Sequence, residues 1–138
     1  MAAQVTCTPA QIAVVFPQKA QVFDMIAAVA LTAGDIVYMT TAGKADLADG
    51  DSAATTVQTG VALNSCGAGA AVSVLKSGHC AGWALSGLAY GAPVYFSATA
   101  GDAYDTTVGA GKVLGIVVAL PEAGGPVKCL YVDQVWNA

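Results

Sequence analysis

Leu31-Thr-Ala-Gly-Asp-Ile-Val-Tyr-Met-Thr-Thr-Ala-Gly43 decides how the rest of this chain is read. A degraded copy follows: Leu88-Ala-Tyr-Gly-Ala-Pro-Val-Tyr-Phe-Ser-Ala-Thr-Ala-Gly101. Each copy has a Gly (Gly34, Gly91), a Val-Tyr pair (Val37-Tyr38, Val94-Tyr95), small polar residues and an Ala-Gly. Each leads into an acidic, Thr-containing loop and then an apolar run that starts at Gly: Gly60-Val-Ala-Leu63 and Gly115-Ile-Val-Val-Ala-Leu120. Gly34 and Gly91 are 57 residues apart, and Gly60 and Gly115 are 55 apart, so one β-unit is used twice. Two copies are too few for a solenoid, which predicts pseudo-symmetry inside one compact domain. Between the copies Asp35 becomes Ala92 and Ile36 becomes Pro93, while Gly, Val and Tyr persist. Backbone geometry and packing are kept and charge is lost. The repeat therefore reads as scaffold, and a functional surface is expected in the unrepeated parts: the N-terminal stretch, the cysteines and the last strand.

Outward from the repeat, punctuation by Gly, Pro and Asp marks further short strands. Residues 1–16 read as an extended N-terminal arm, polar to Gln11 and ending in a short strand, Ile12 to Phe16, stopped by Pro17. Residues 17–138 read as a single β domain. Met25 to Leu31 fits either a helix turn or a strand by period; the turn at Thr32-Ala-Gly34 and the β-unit after it favour strand. Ala71 to Lys76 is a strand, Ser77-Gly78 a tight connection to His79–Leu85, and Val127 to Val135 a final strand. Strands this short, with Gly-rich turns about every ten residues, predict an all-β sandwich or barrel.

A length of 138 residues suits one domain that buries a core without metal or disulfides. Only 10% of the residues are charged, against a usual ~25%, and 56% are hydrophobic. So little charge predicts that part of the surface is covered by other subunits. The net charge is −4 and the five lysines are scattered, which argues against binding nucleic acid through its phosphates. The N-terminus has no basic start and no apolar core of a signal peptide, and no run reads as a membrane-spanning helix.

Chemical constellations are thin. Asp46, Asp49 and Asp51 around Gly50 lack the closing Glu and the flanking helices of a calcium loop, and read as a turn. His79 and Cys80 are adjacent on a strand, so their side chains point to opposite faces and do not form a dyad. Neither a nucleophile elbow nor a phosphate-binding Gly-loop is present, so no catalytic, cofactor or metal residue is assigned and no enzyme is expected. Cys7, Cys66, Cys80 and Cys129 have no metal-ligand spacing. They read as buried thiols or as cross-links made after release from a reducing compartment, with Cys7 on the arm the leading intermolecular candidate. Trp136, two residues from the end, and Tyr131 on an apolar two-sided strand read as subunit-interface anchors.

The order Gly-Asp-x-Val-Tyr (Gly34 to Tyr38), Gly-Val-Ala (Gly60 to Ala62), Gly-x-Gly-x-x-Val-x-Val (Gly67 to Val74) and Gly78 forms one half of a longer pattern. It continues with Gly-x-Pro-Val-Tyr (Gly91 to Tyr95), Ala100-Gly101, Thr106-Thr107 and Gly115 to Leu120. Over about residues 25–121 this resembles the capsid cement, or decoration, proteins of tailed bacteriophages. The resemblance implies a compact, tulip-like β-barrel or β-sandwich on the outside of the phage head, assembled in the host cytoplasm. It further implies a homotrimer that clamps copies of the major capsid protein, with no role for nucleic acid or membrane. On that reading Val5, Ile12, Val14 and Phe16 of the arm are expected to contact the capsid, and Trp136 and Tyr131 the neighbouring subunit. The four cysteines depart from the family pattern and suggest covalent reinforcement of the shell. The alternative is a trimeric receptor- or glycan-binding adhesion module, for which Tyr104 between Asp102 and Asp105 is the candidate contact.

Overall fold

The structure, a computed structural model, describes residues 4–50, 58–97, 99–105, 112–121, 126–134 and 136. The strands in chain order are β1 (Gln4–Val5), β2 (Ala13–Val14), β3 (Gln21–Ala27), β4 (Ile36–Met39), β5 (Lys44–Leu47) and β6 (Thr59–Ala62). They continue as β7 (Ala71–Ala81), β8 (Pro93–Phe96), β9 (Ala103–Tyr104), β10 (Val113–Leu120) and β11 (Val127–Asp133). Two single 3-10 turns, Pro9–Gln11 and Pro17–Lys19, each begin at a proline, whose fixed φ favours such a start. The chain is thus all-β, as expected. Among the described residues no helix is long and apolar enough to cross a membrane.

The repeat is realised strand for strand. Gly34 and Gly91 both take positive φ (95° and 83°), which glycine adopts without a Cβ clash. The Asp35 N–H bonds the Thr32 carbonyl at 2.9 Å, and 57 residues on the Ala92 N–H bonds Ala89 at 3.1 Å. In the first unit β4 lies between β5 and β6, with Val37 opposite Gly60. In the second unit β8 lies between β9 and β10, with Val94 opposite Gly115.

The two units join through β7, the longest strand. Its first part pairs with β3 and β6, and its last part with β2 and β11. Pairings run from β7 through β3, β5, β4 and β6 back to β7, so the first unit returns on itself. Two cores result. Val37, Ala45, Ala62, Val72 and Val74 fill the first unit. Ile36, Val61 and Leu75, on the opposite faces of the same strands, pack with Val94, Phe96, Leu114, Val117, Leu130 and Val132 of the second. Strands β4, β6 and β7 are therefore apolar on both faces, and their sequences lack clean alternation for that reason.

Three expectations change. Ser77-Gly78 is not a turn: β7 runs straight through it. The register skips Lys76 between the Ser77–Gln21 and Leu75–Val22 pairs, and Gly78 takes φ 143° with Ala20 only 2.8 Å from where a Cβ would stand. This glycine supplies a bulge and a close approach rather than a reversal. The run at Met25 begins earlier, at Gln21, and ends as strand at Ala27.

The third change is the N-terminal stretch, which is built into the domain. Val5 pairs with Ala103, Thr8 N–H bonds the Gly82 carbonyl at 2.9 Å, Val14 pairs with Cys80, and Val15 N–H bonds His79 at 3.0 Å. This segment bridges the gap between β9 and β7, closing the side of the second unit that β11 leaves open. Its polar residues face water, and its alternate apolar ones, Val5 and Ile12, are buried in the core.

Candidate interaction surface

Placement of the expected contact residues follows from that closure. Val5 and Ile12 lie inside the chain's own core, so neither side chain reaches a capsid surface; burial corrects that assignment. Val14 packs half-buried against the same core. Phe16 alone of the four stands in an outer surface row.

That row is set by register. Directly opposed residues on neighbouring strands share a face. Pro93 on β8 opposes Ile116 on β10, Ile116 opposes Tyr131 on β11, and Tyr131 opposes His79 on β7. The His79 ring meets Tyr131 edge-on at 5.1 Å and Phe16 edge-on at 5.0 Å, and the Lys19 ammonium lies 5.7 Å from the Phe16 ring. Alternate residues Val117, Leu130 and Val132 point inward and are buried. His79 therefore has ring neighbours, while Cys80 faces the core, as strand alternation requires.

A second apolar area lies along β3 and the bend after it. Val22 and Ile26, on one face of β3, are each 44% exposed; Phe23, on the other face, is 42% exposed, and Val29 is also exposed. The two areas adjoin: Ser77, two residues before His79, pairs with Gln21 at the start of β3. Trp136, read from sequence as an interface anchor, is tied to its own chain. Its ring stacks on Phe23 at 4.3 Å, its indole N–H donates to the Thr59 carbonyl at 2.7 Å, and Gln58 donates to its carbonyl at 2.7 Å. Neighbouring Gln134 is buried, accepting from the Thr59 hydroxyl at 2.6 Å and donating to the carbonyls of Val113 and Leu114. The C-terminal end thereby links β6 to β10. Sequence offered no short-range signal for this, because the β6-side partners lie more than seventy residues away and the β10 carbonyls about twenty.

All four cysteines are free thiols, so the expected disulfide is not formed within the chain. Cys80 and Cys129 are buried and cannot bridge to another chain from the folded state. The Trp83 indole N–H donates to the Cys80 sulfur at 3.4 Å, and the Cys129 thiol donates to the Cys80 carbonyl at 3.5 Å. Burial pushes the Cys80 thiol up to about 11 and raises those of Cys7 and Cys129. Cys7 and Cys66 are half-buried and remain the two that a second chain can approach.

Cys7 borders a cavity of about 170 Å³ that also takes in Asp35, Gly101 and Asp102. Desolvation raises both carboxyl pKa values; Asp102 raises Asp35 further, and the Thr32 N–H at 2.8 Å opposes the shift. The turn of the first unit thus meets the loop of the second through two carboxyl groups, with no lysine among the described lining residues. Elsewhere Asp46 accepts from the Leu47 N–H at 2.7 Å, a local turn contact. Asp51 lies outside the described residues. Among those described, no three or more His, Cys, Asp or Glu residues converge to hold a metal. Tyr104 sits half-buried on β9 opposite Tyr95 and Gln4. No protein-family model, curated protein or solved structure matches the chain.

Proposed function

We propose that this chain is a capsid decoration, or cement, protein that sits on the outer surface of a phage head and ties neighbouring major capsid proteins together. We read the closed set of pairings in the first unit as a small tulip-like barrel, and the working form as a homotrimer. Support comes from the ordered Gly-Asp-x-Val-Tyr and Gly-x-Pro-Val-Tyr resemblance, the all-β architecture and the low charge.

One observation carries the reading. The two units are pseudo-equivalent, yet equivalent rows have opposite fates. Ile36, Val61 and Leu75 form a row in the first unit, and the second unit covers it completely. The equivalent row in the second unit is Pro93, Ile116 and Tyr131; the described chain leaves it only partly covered, with Ile116 40% exposed and Pro93 and Tyr131 half-buried. A sheet face that stays apolar while partly uncovered needs a partner. Head-to-tail stacking of subunits on this face is a heterologous contact that closes into a ring. The β3 face that carries the exposed Val22 and Ile26 then remains for the capsid. Each such contact is small, and many copies acting together give the shell its strength.

The test uses two variants of the full chain. Ile116→Asp is expected to convert a sedimenting trimer to monomer. Ile26→Asp is expected to keep the trimer but lose co-sedimentation with expanded, undecorated heads. Wild-type protein that sediments as a monomer and does not bind heads at micromolar concentration would overturn the proposal.

A further inference from the structure

The loop between β7 and β8 builds a second feature, away from the outer row. Its turns are fixed by backbone bonds, Leu88 N–H to Leu85 at 3.0 Å and Ala92 N–H to Ala89 at 3.1 Å, and Leu85 anchors it in the core. Tyr90 stands on this loop, 46% exposed, with its hydroxyl donating to the Pro126 carbonyl at 3.0 Å. Lys128, near the start of β11, donates to the carbonyls of Ser86 (3.5 Å) and Leu88, and its ammonium lies 5.5 Å from the Tyr90 ring centre. Between loop and strand lies an open groove of about 580 Å³ lined by Trp83, Ser86, Tyr90, Val127 and Lys128. A smaller hollow of about 230 Å³ shares Trp83 and Lys128 and also takes in Leu120 and Cys129.

Three properties narrow the ligand. The volume lies within the ~300–1,000 Å³ range of small-molecule sites. An aromatic ring is held by its own hydroxyl bond yet left open to solvent, which spares a ligand the ordering cost. Among the described lining residues Lys128 is the one cation, held by carbonyl dipoles, and none carries a carboxylate. A single ammonium suits one carboxylate. It is too little for a polyphosphate or a nucleic-acid backbone, and the net charge of −4 opposes either. An apolar peptide would leave the Lys128 ammonium covered and without an anion, a costly state.

We propose that the Trp83–Tyr90–Lys128 groove binds a pyranose sugar that carries a carboxylate, such as a uronic acid unit of a surface polysaccharide. The sugar's apolar C–H face lies on the Tyr90 ring, its carboxylate meets Lys128, and Ser86 at the rim takes a hydroxyl. This site is independent of the capsid reading, so either survives failure of the other.

The probe is methyl β-D-glucuronide, titrated into the isotope-labelled full chain, with methyl β-D-glucoside as the neutral comparison. Saturable shifts confined to residues around Trp83, Tyr90 and Lys128 are expected, stronger for the glucuronide. Tyr90→Ala should weaken binding about tenfold, while Tyr90→Phe, which keeps the ring, should retain most of it. Lys128→Gln keeps a donor for the loop carbonyls and should abolish the preference for glucuronide over glucoside. Dispersed spectra of each variant establish that it is folded. Absence of localised shifts with wild-type protein at 20 mM glucuronide, or equal affinity in folded Tyr90→Ala, overturns the proposal.

Discussion

Gly115→Ala tests whether the repeat is a backbone device. Gly115 lies between Val94 on β8 and Val132 on β11. A Cβ placed there stands 2.1 Å from the Tyr131 carbonyl oxygen, 2.9 Å from its carbon and 3.1 Å from Val132 Cα. Favourable contact needs about 3.5 Å, so β10 and β11 must part locally by about 1.4 Å. A hydrogen bond near 2.9 Å does not survive that. The obstacle is backbone on a buried central strand, which cannot rotate aside as a side chain does. Overpacking of this kind costs up to about 3 kcal/mol, and the reduced freedom of the unfolded chain returns about 0.5–1 kcal/mol. The net loss is about 2 kcal/mol, or roughly 8 °C in Tm for a domain of this size. Gly60, its counterpart, meets the Leu75 carbonyl at 2.5 Å and should respond in the same direction.

The assay is urea unfolding followed by tryptophan fluorescence and far-ultraviolet circular dichroism. Gly67→Ala and Gly87→Ala serve as controls, because a Cβ at either position meets nothing within 4 Å. Both should stay within about 0.5 kcal/mol of wild type. If Gly115→Ala unfolds at the same midpoint as these controls, the close approach is not what the repeated glycine is for.

Three further outcomes are expected. Ile12→Ala should cost about 2–4 kcal/mol, and removal of residues 1–11 should abolish cooperative unfolding, read by the same denaturant curves; a truncated chain with wild-type stability would restore the detached arm. In native protein at pH 8, Cys7 and Cys66 should react with a thiol reagent well before Cys80 and Cys129, which should need denaturant; four equal rates would contradict the burial. Because Asp35 and Asp102 are raised above the ordinary 3.8, the native state takes up protons first as pH falls. Their destabilising effect is full above the raised values and relieved as pH drops towards 3.8. Asp102→Asn should therefore add a little stability at pH 7, under about 1 kcal/mol, and the gain should vanish near pH 4. A gain that persists there would assign the effect to something other than the carboxyl pair.

The strands of the repeat were legible because their signal is local. Gly34 and Gly91 need positive φ, and Val-Tyr pairs follow at a fixed distance. Other features carried local signals that pointed the wrong way. Ser77-Gly78 has the composition of a turn, but its glycine serves a bulge against Ala20, a neighbour visible only after folding. Thr8-Pro9 and the polar residues around it read as an arm, because a stave with one wet face is half polar. The apolar pair Val5 and Ile12 is the local clue, but apolar residues in a polar stretch fit an outward contact as well as a buried one. Trp136 read as an interface residue because chain ends are usually loose. Bonds to Thr59 and a stack on Phe23 hold it instead, through partners that no sequence window contains. Tyr90 and Lys128 stayed invisible as a pair because the loop between β7 and β8 and the start of β11 meet only in three dimensions.

At Val37, Ala62 and Val94, Val117 the equivalent positions are apolar and buried in both units, as a common fold demands. At Val61 and Ile116 the side chain is again apolar in both, but folding buries only the first. Core packing within the chain explains Val61 and leaves Ile116 without a reason. The neighbours of Ile116 add to this: Tyr131, His79 and Phe16 extend the row with rings. A surface under no demand would accept Thr or Lys at position 116 at a cost within about 0.5 kcal/mol. Ile116→Lys therefore separates the two explanations. It should leave the unfolding midpoint of the isolated chain nearly unchanged and still abolish self-association. A large loss of stability in the monomer would instead place Ile116 in the chain's own packing.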